Sequence, residues 1–111
     1  YCSTIGIFGD TQGNVIDETF QRTQKEFSSA YDRTKYEAQQ LVDLAASPGL
    51  SVVSVMSSGI FGKDDPHFMP VLNSFRKGRL KVWAGGGRVT GIVHVDDLAD
   101  AMILAAERGK T

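Results

Sequence analysis

The sequence predicts an α/β fold, the C-terminal half of a doubly wound parallel sheet. Strand-like runs alternate with helical ones, which is typical of parallel sheets joined by crossover helices. Only residues 1–8 and 50–56 are long enough to be main strands, and two strands cannot form a parallel sheet that is buried on both faces. The sequence also begins inside the first strand. We therefore expect further strands to precede Tyr1 in a longer protein.

The first half of the chain contains a strand, a polar loop, a helix and a second strand. Residues 1–8 are mostly apolar and end at a Gly-Asp turn signal. Residues 11–28 are polar and lack clear periodicity, which indicates a surface loop with room for a short helical piece. Residues 30–46 have helical periodicity and stop at Ser-Pro-Gly, and the β-branched run at residues 50–56 (LSVVSVM) predicts a buried strand.

The second half repeats this alternation with shorter elements. Pro66 precedes its first helix and Gly78 follows it, as is typical of helix starts and ends. Asp96 or Asp97 is expected to cap the last helix and Gly109 to close it. The expected loop, helix, two short strands and final helix lie at residues 57–65, 67–77, 80–83, 92–95 and 96–108.

Composition narrows the class of protein. The 111 residues allow one small domain, and 41% hydrophobic with 23% charged residues is ordinary for a soluble protein. A net charge of −1 gives no general attraction for nucleic acid, and no apolar run approaches the roughly 20 residues of a membrane helix. Cys2 is the only cysteine, which excludes an internal disulfide and a multi-cysteine zinc site. We expect a cytoplasmic protein without nucleic-acid or membrane partners.

Tyr31 and Lys35 lie on the face of the first helix that should be buried. At about 100° per residue they share a narrow sector with Ala38, Val42 and Ala45. Tyr31 is either a half-buried core residue beside a lysine that reaches water, or a phenol prepared for chemistry. In the second case the lysine ammonium favours the phenolate by charge attraction, and Tyr31 can act as a general acid or base.

Three other features also have two interpretations. Ser3 and Thr4, near the end of the first strand, either bond to the backbone of a turn or offer hydroxyls to a substrate. The glycine-rich residues 84–91 lack the Lys-Ser/Thr of a phosphate loop, so a flexible loop near the substrate is favoured. Asp96-Asp97 favour capping over catalysis. His67 and His94 have no partners at metal-binding spacing, and we expect no metal site.

Five segments of the chain occur in an order that characterises one enzyme family. They are STIGIFGD, Asp17-Glu18, YDRTK, SVVSVMSSGIFGKDD and IVHVDDLADAMILAAERGK. Together they resemble the extended short-chain dehydrogenase/reductases, the NAD(P)-dependent epimerase/dehydratase superfamily. The resemblance implies a partial Rossmann-fold domain over residues 1–111, its catalytic half, with residues 66–95 contributing to a substrate-binding region.

The resemblance assigns catalytic roles to three residues. Thr4, five residues before Gly9, holds the position of the family's catalytic Ser/Thr and would contact the substrate. Tyr31 would be the acid/base, and Lys35 would make Tyr31 more acidic while hydrogen-bonding the nicotinamide ribose. Hydride would pass between NAD or NADP and a substrate carbon while Tyr31 exchanges the proton of the oxygen.

The resemblance also implies contacts around these three. Besides Tyr31 and Lys35, four residues would lie along the nicotinamide end of the cofactor, namely Ser57, Ser58, Gly59 and Ile60. Phe68, which on periodicity alone is a core residue, would border the substrate, and Arg88 would contact it.

Departures from the family pattern restrict the set of reactions that the resemblance implies. Ile5-Gly6 replaces the Asp-Glu pair of sugar-nucleotide dehydratases, which argues against dehydration. Thr90 stands where nucleotide-sugar epimerases carry an arginine, although Arg88 is near enough to substitute. The segments YDRTKYEAQQ and AAERGK favour the dihydroflavonol-reductase-like branch, which reduces ketones or aldehydes. The family's glycine-rich phosphate-binding turn is absent from these residues, so we expect the isolated chain to bind cofactor weakly or not at all.

The resulting prediction is an NAD(P)-dependent oxidoreductase that acts on the carbonyl or alcohol of a small molecule. The alternatives are a sugar-nucleotide epimerase of the same superfamily, a catalytically silent NAD(P)-binding regulatory protein, and a folded remnant without activity. Silent relatives usually lose the Tyr or the Lys, and this chain keeps both. A homodimer is expected by analogy with the family alone.

Overall fold

The computed structural model describes residues 1–81 and 89–110. These residues form an α/β structure with parallel strands, as part of a Rossmann-like fold does, and this confirms the predicted fold class. A short 3-10 helix at Ile5–Phe8 follows the first strand. The strands are β1 (Cys2–Thr4), β2 (Val55–Ser57), β3 (Gly59–Phe61) and β4 (Ile92–His94), and the helices are α1 (Ala30–Ala45), α2 (Phe68–Arg76) and α3 (Val95–Arg108).

Strands β1 and β2 are parallel neighbours joined through α1. Their register pairs Cys2 with Val55 and Thr4 with Ser57. The prediction of a strand over residues 50–56 began too early in the chain, because the strand that pairs with β1 is Val55–Ser57, whereas Leu50 bonds back to Ser47 in a turn. Helix α1 packs on β1 and on the 3-10 helix, while α3 packs on β2, β3 and β4. The carboxyl ends of β1 and β2 therefore lie side by side next to α1.

Strands β3 and β4 form a second parallel pair, with Gly59 opposite Ile92 and Phe61 opposite His94. The prediction of a continuous loop over residues 57–65 was therefore wrong at β3. This strand depends on a partner more than thirty residues away, which the local pattern of glycines does not reveal. Of the short strand expected at residues 80–83, residues 80–81 are not in a strand and residues 82–83 lie outside the described chain.

The helices agree with the predicted ranges to within two residues, but the start of α3 corrects one expectation. Neither Asp96 nor Asp97 caps this helix, since both lie within its first turn. The cap is His94, whose Nδ1 accepts the backbone N–H of Asp96 at 3.3 Å. Gly109 closes α3 as expected, donating its N–H to the carbonyl of Ala105 at 2.9 Å.

Residues 9–29 contain no helix or strand, yet they are held against α1. Arg22 donates from Nε to the carbonyl of Gln24 at 3.0 Å, and its guanidinium lies 4.3 Å from the ring centroid of Phe27. The same guanidinium lies 5.8 Å from the ring of Tyr36 in α1. Gly9 has φ +73°, a backbone conformation that residues with a Cβ rarely adopt, so glycine is favoured at this turn.

The buried interior is small and partly polar. Ile7 and Leu98 are its buried apolar side chains, at 6% and 9% exposure, and they share it with buried Ser3, Gln39 and Ser57. Gln39 is the buried residue of α1, where it donates from Nε2 to Ser54 Oγ at 3.0 Å and to Asp43 Oδ1 at 2.7 Å. The buried stripe predicted for α1 was partly wrong, because its half-buried members are Lys35, Ala38 and Val42 and its outer members, Tyr31 and Ala45, are exposed.

Candidate active site

The carboxyl ends of β1 and β2 bring hydroxyl side chains together. Thr4 and Ser57 are opposed in the strand register. Ser57 is buried, and its hydroxyl donates to the carbonyl of Ser3 across the strands at 3.1 Å. Ligands of open parallel sheets bind beyond this edge, so Thr4 lies where a ligand would be expected, while the hydroxyl proton of Ser57 is already used.

Thr4 ends β1 and caps the 3-10 helix that follows. Its Oγ1 accepts the backbone N–H of Gly6 at 3.2 Å, and the side chain is half-buried. A hydroxyl that accepts one bond still has a proton to donate, so Thr4 can offer a hydrogen bond to an oxygen of a ligand. The Ser3 hydroxyl is at 2% exposure and has no hydrogen-bond partner within the described part of the chain.

Tyr31 and Lys35 face each other over the first turn of α1. The Lys35 Nζ lies 5.9 Å from the centroid of the Tyr31 ring, near the limit for cation–π attraction. Tyr31 is 57% exposed, so the core-residue interpretation of its side chain was wrong. The phenol is accessible to a ligand, and a cation stands one helical turn behind it.

A network of hydroxyls and a carboxylate fixes the start of α1. Ser29 is the N-cap, and its Oγ accepts the backbone N–H of Asp32 at 3.1 Å. The hydroxyls of Ser28 and Ser29 donate to Asp32 Oδ2 at 2.8 and 2.9 Å. Both hydrogen bonds lower the pKa of Asp32, and the one from Ser28 contributes most. The positive charge of Arg22 adds to the effect. Asp32 is therefore ionised at neutral pH, where its charge also favours the helix N-terminus.

Thr4 and the start of α1 lie on elements that pack together. The first helical turn after Thr4 packs against α1, so Thr4 and the Tyr31–Lys35 pair are on neighbouring elements at the same edge of the sheet. Sequence reasoning named those three residues but missed Asp32. A serine three residues before an acidic residue at a helix start is a capping signal, so the Ser29–Asp32 pair was readable from the sequence.

The other residues expected to contact cofactor lie on and around β3. Ser58 is half-buried between β2 and β3, and Ile60 is 44% exposed. Gly59 donates its N–H to the carbonyl of Gly91 at 3.3 Å, so its backbone serves the second strand pair. These four positions, Ser57 to Ile60, continue directly from the edge that carries Thr4.

The start of α2 is aromatic. The ring of Phe68 lies 5.8 Å from that of Phe61, centroid to centroid, and Phe61 meets His94 edge-on at 5.2 Å. Outside this cluster the helix forms an apolar groove of about 320 Å³ lined by Phe68, Val71, Leu72 and Phe75. Phe68 thus joins the aromatic cluster to the groove. Arg88, the other expected substrate contact, lies outside the described residues, as does most of the glycine-rich segment 84–91.

Two further properties concern the described residues alone. Within residues 1–81 and 89–110, no three His, Cys, Asp or Glu side chains are grouped so that they could hold a metal ion. None of the helices in that part of the chain has the length and apolar character needed to cross a membrane.

Comparison with known families decides the class of protein. A model of the NAD dependent epimerase/dehydratase family matches residues 1–111, the whole of the sequence. The chain belongs to this family. The resemblance based on the five ordered segments is therefore confirmed.

Three curated relatives of this epimerase/dehydratase chain carry reductase or dehydrogenase names. One is a Stigmatella aurantiaca protein named 4-hydroxy-2-methyl-3-oxo-4-farnesyl-3,4-dihydroquinoline-1-oxide ketoreductase, 38% identical over 85% of this chain and 28% of the relative. A putative dihydroflavonol 4-reductase from Synechocystis is 30% identical over 98% of this chain and 32% of the relative. A Xenopus laevis short-chain dehydrogenase/reductase family 42E member 1 is 32% identical over 96% and 30%.

The chain thus spans about a third of the length of the curated relatives it matches. No solved structure matches it at a significant level.

The side chains at the sheet edge fit the nicotinamide cofactor that the family name implies. A ribose presents hydroxyls that both donate and accept, and here an accessible phenol and an ammonium stand on one helical turn. The ammonium can only donate and the phenol can do both, so the pair complements a ribose diol.

Proposed function

We propose that the protein to which this chain belongs is an NAD(P)-dependent oxidoreductase that reduces a ketone or aldehyde, or oxidises the corresponding alcohol. The observation that carries the proposal is the 57% exposed phenol of Tyr31, with Lys35 Nζ 5.9 Å from its ring, on the helix that packs beside Thr4. Family membership and the reductase names of two relatives support the same class of reaction.

Tyr31 and Lys35 would hold the ribose of NAD or NADP, with Ser57, Ser58, Gly59 and Ile60 beside its nicotinamide end. When bound, the cofactor supplies or accepts the hydride. Gly59 and Ile60 support this role by their place at the start of β3, immediately beyond the sheet edge.

The proton steps belong to the chain's own residues. In the reducing direction Tyr31 gives the proton of its phenol to the substrate oxygen, and in the oxidising direction its phenolate accepts that proton. The Thr4 hydroxyl donates a hydrogen bond to the same oxygen and stabilises the charge that develops there. The Lys35 ammonium, with Nζ 5.9 Å from the centroid of the Tyr31 ring, would donate a hydrogen bond to the cofactor ribose.

The substrate would be partly apolar. The groove on α2 offers only apolar side chains, Phe68 among them, and a pocket of this kind accepts an alkyl, prenyl or aromatic group. The compound in the name of the Stigmatella aurantiaca relative carries an oxo group and an apolar farnesyl chain. Contact between Arg88 and the substrate, a homodimer and a cytoplasmic location remain predictions from the sequence.

One experiment separates this function from its alternatives. The full-length protein is incubated with NADH or NADPH deuterated at the transferred position and with acetone, acetophenone, benzaldehyde or farnesal. We expect oxidation of the cofactor in equal amount to alcohol formed, with deuterium on the new carbinol carbon, and higher kcat/KM for the apolar substrates.

The other outcomes reject the proposal in distinguishable ways. Inversion of a sugar-nucleotide hydroxyl without net oxidation of cofactor would establish the epimerase. Cofactor binding measured by calorimetry without turnover of either substrate class would establish the silent regulatory protein.

A further inference from the structure

Asp32 connects the start of α1 to the end of β1. The carboxylate uses its two oxygens in different directions. Oδ2 accepts the hydroxyls of Ser28 and Ser29, at 2.8 and 2.9 Å, within the first turn of the helix. Oδ1 faces the 3-10 helix that follows Thr4, where it would lie 3.1 Å from a Cβ built on Gly6.

Thr4 borders the same small space from the other side. Its Oγ1 would lie 3.6 Å from that same Cβ on Gly6, and in the structure it accepts the Gly6 N–H at 3.2 Å. The absent side chain of Gly6 therefore allows the Asp32 carboxylate and the Thr4 hydroxyl to approach one backbone position. Tyr31 precedes Asp32 directly, so the carboxylate that is anchored here belongs to the residue next to the phenol.

The rest of the network holds the side chain of Asp32 in place. Ser29 caps the helix and is in turn held by the carboxylate, so the cap and the carboxylate restrain each other. A charged acceptor makes stronger hydrogen bonds than a neutral one. Arg22, whose positive charge acts on Asp32, is itself held by the rings of Phe27 and Tyr36. The carboxylate is thus supported from the loop as well as from the helix.

We propose that Asp32 is a positioning residue, which holds the helical turn that carries the Tyr31 phenol against the segment that follows Thr4. The inference rests on the proposed function for its kinetic consequence, but the placement of the phenol can be measured without substrate. Asp32 does not touch the reacting atoms, and it acts through the backbone of the helical turn that carries Tyr31.

The test uses the full-length protein with ¹³Cζ-labelled tyrosine, and the Tyr31 resonance is assigned by its loss in Tyr31→Phe. We expect Asp32→Ala to shift or broaden the Tyr31 resonance and to leave that of Tyr36 unchanged. Asp32→Asn, whose amide oxygen still accepts hydroxyl protons, should restore most of the wild-type signal. Glu37→Gln is the matched control, because Glu37 lies on the same helix in an exposed pair with Arg33.

The kinetic arm uses the carbonyl substrate with the highest turnover among acetophenone, benzaldehyde and farnesal. Asp32→Ala should lower kcat about tenfold, since small displacements of a reacting group are costly, with cofactor affinity and KM nearly unchanged. Gly6→Ala, whose methyl group would push against Oδ1, should lower kcat in the same direction.

An unchanged Tyr31 resonance in Asp32→Ala overturns the positioning role, and so does a drop in kcat that is matched by an equal loss in Glu37→Gln. If Tyr31→Phe keeps full turnover, it is the proposed function that fails, whereas the resonance still reports whether Asp32 places the phenol.

Discussion

The N-termini of α1 and α2 are both anchored by an aspartate, but the two anchors leave different surfaces. At α1, Asp32 lies inside the first turn and binds the hydroxyls of Ser28 and Ser29. At α2, Asp65 lies before the helix and accepts the backbone N–H groups of His67, Phe68 and Met69. The first arrangement lies beside an exposed phenol and a half-buried lysine, and the second lies beside an aromatic cluster and an apolar groove.

The difference indicates a division of tasks. Around α1, polar groups fix the helical turn that carries Tyr31, which can exchange a proton, and Lys35, which is charged. At α2, one carboxylate from the preceding loop accepts the free backbone N–H groups of the first turn. The side chains of Phe68, Val71 and Phe75 then form an apolar surface. Changes near α1 should therefore affect turnover more than stability, and changes at the start of α2 should do the opposite.

A large effect on turnover, which tests this comparison, is expected at Thr4. Thr4→Val removes the hydroxyl while keeping the shape of the side chain, and we expect kcat to fall about 10²-fold because a donor to the substrate oxygen is lost. Thr4→Ser should keep most of the turnover. Steady-state kinetics and thermal unfolding of the full-length protein measure both properties. If Thr4→Val retains its kcat, Thr4 has no part in the reaction.

A smaller effect is expected at Asp65, and it concerns stability. Partial desolvation alone would raise the pKa of Asp65, but the N–H hydrogen bonds from Phe68, His67 and Met69 outweigh it and lower the pKa. A lowered folded pKa means that the carboxylate stabilises the fold above its unfolded pKa of about 3.9, and that this contribution is lost as pH falls through the lower folded value.

Asp65→Asn should therefore unfold at a lower temperature than wild type at neutral pH, and the difference should shrink below about pH 4. Its kcat at neutral pH should stay close to wild type. Asp64→Asn makes the same chemical change at the preceding residue, whose backbone φ of +64° asparagine tolerates. Equal unfolding temperatures for Asp65→Asn and wild type at neutral pH would show that the carboxylate does not anchor α2.

How far the sequence predicts the structure depends on how local each feature is. The ranges of α1 and α2 follow from helical spacing and from breakers such as Pro66 and Gly78, which act within one turn. Strand β3 was missed because it depends on pairing with β4, which lies far along the chain. The burial of Gln39 was not predicted, because it depends on Ser54, a partner fifteen residues along the chain on the approach to β2.

The candidate site shows the same limit. Thr4, Tyr31 and Lys35 could be named from their order along the chain, and the structure adds that they occupy neighbouring elements. The role of His94 as the cap of α3 was missed, because an imidazole competes poorly with aspartate in capping preferences. The course of the backbone, rather than the capping propensity of histidine, determines that Nδ1 of His94 accepts the N–H of Asp96.

The central claim is that the phenol of Tyr31 exchanges the proton of the substrate oxygen. Another tyrosine of helix α1 serves as the control for this claim. Tyr36 is a second tyrosine on the same helix, where its ring packs against Phe27 at 5.5 Å. The measurement is kcat for NAD(P)-linked carbonyl reduction by Tyr31→Phe and Tyr36→Phe, with cofactor affinity measured in parallel. We expect kcat to fall by about 10²- to 10⁴-fold in Tyr31→Phe alone, with cofactor still bound. Turnover that survives in Tyr31→Phe, or falls equally in Tyr36→Phe, would contradict the account.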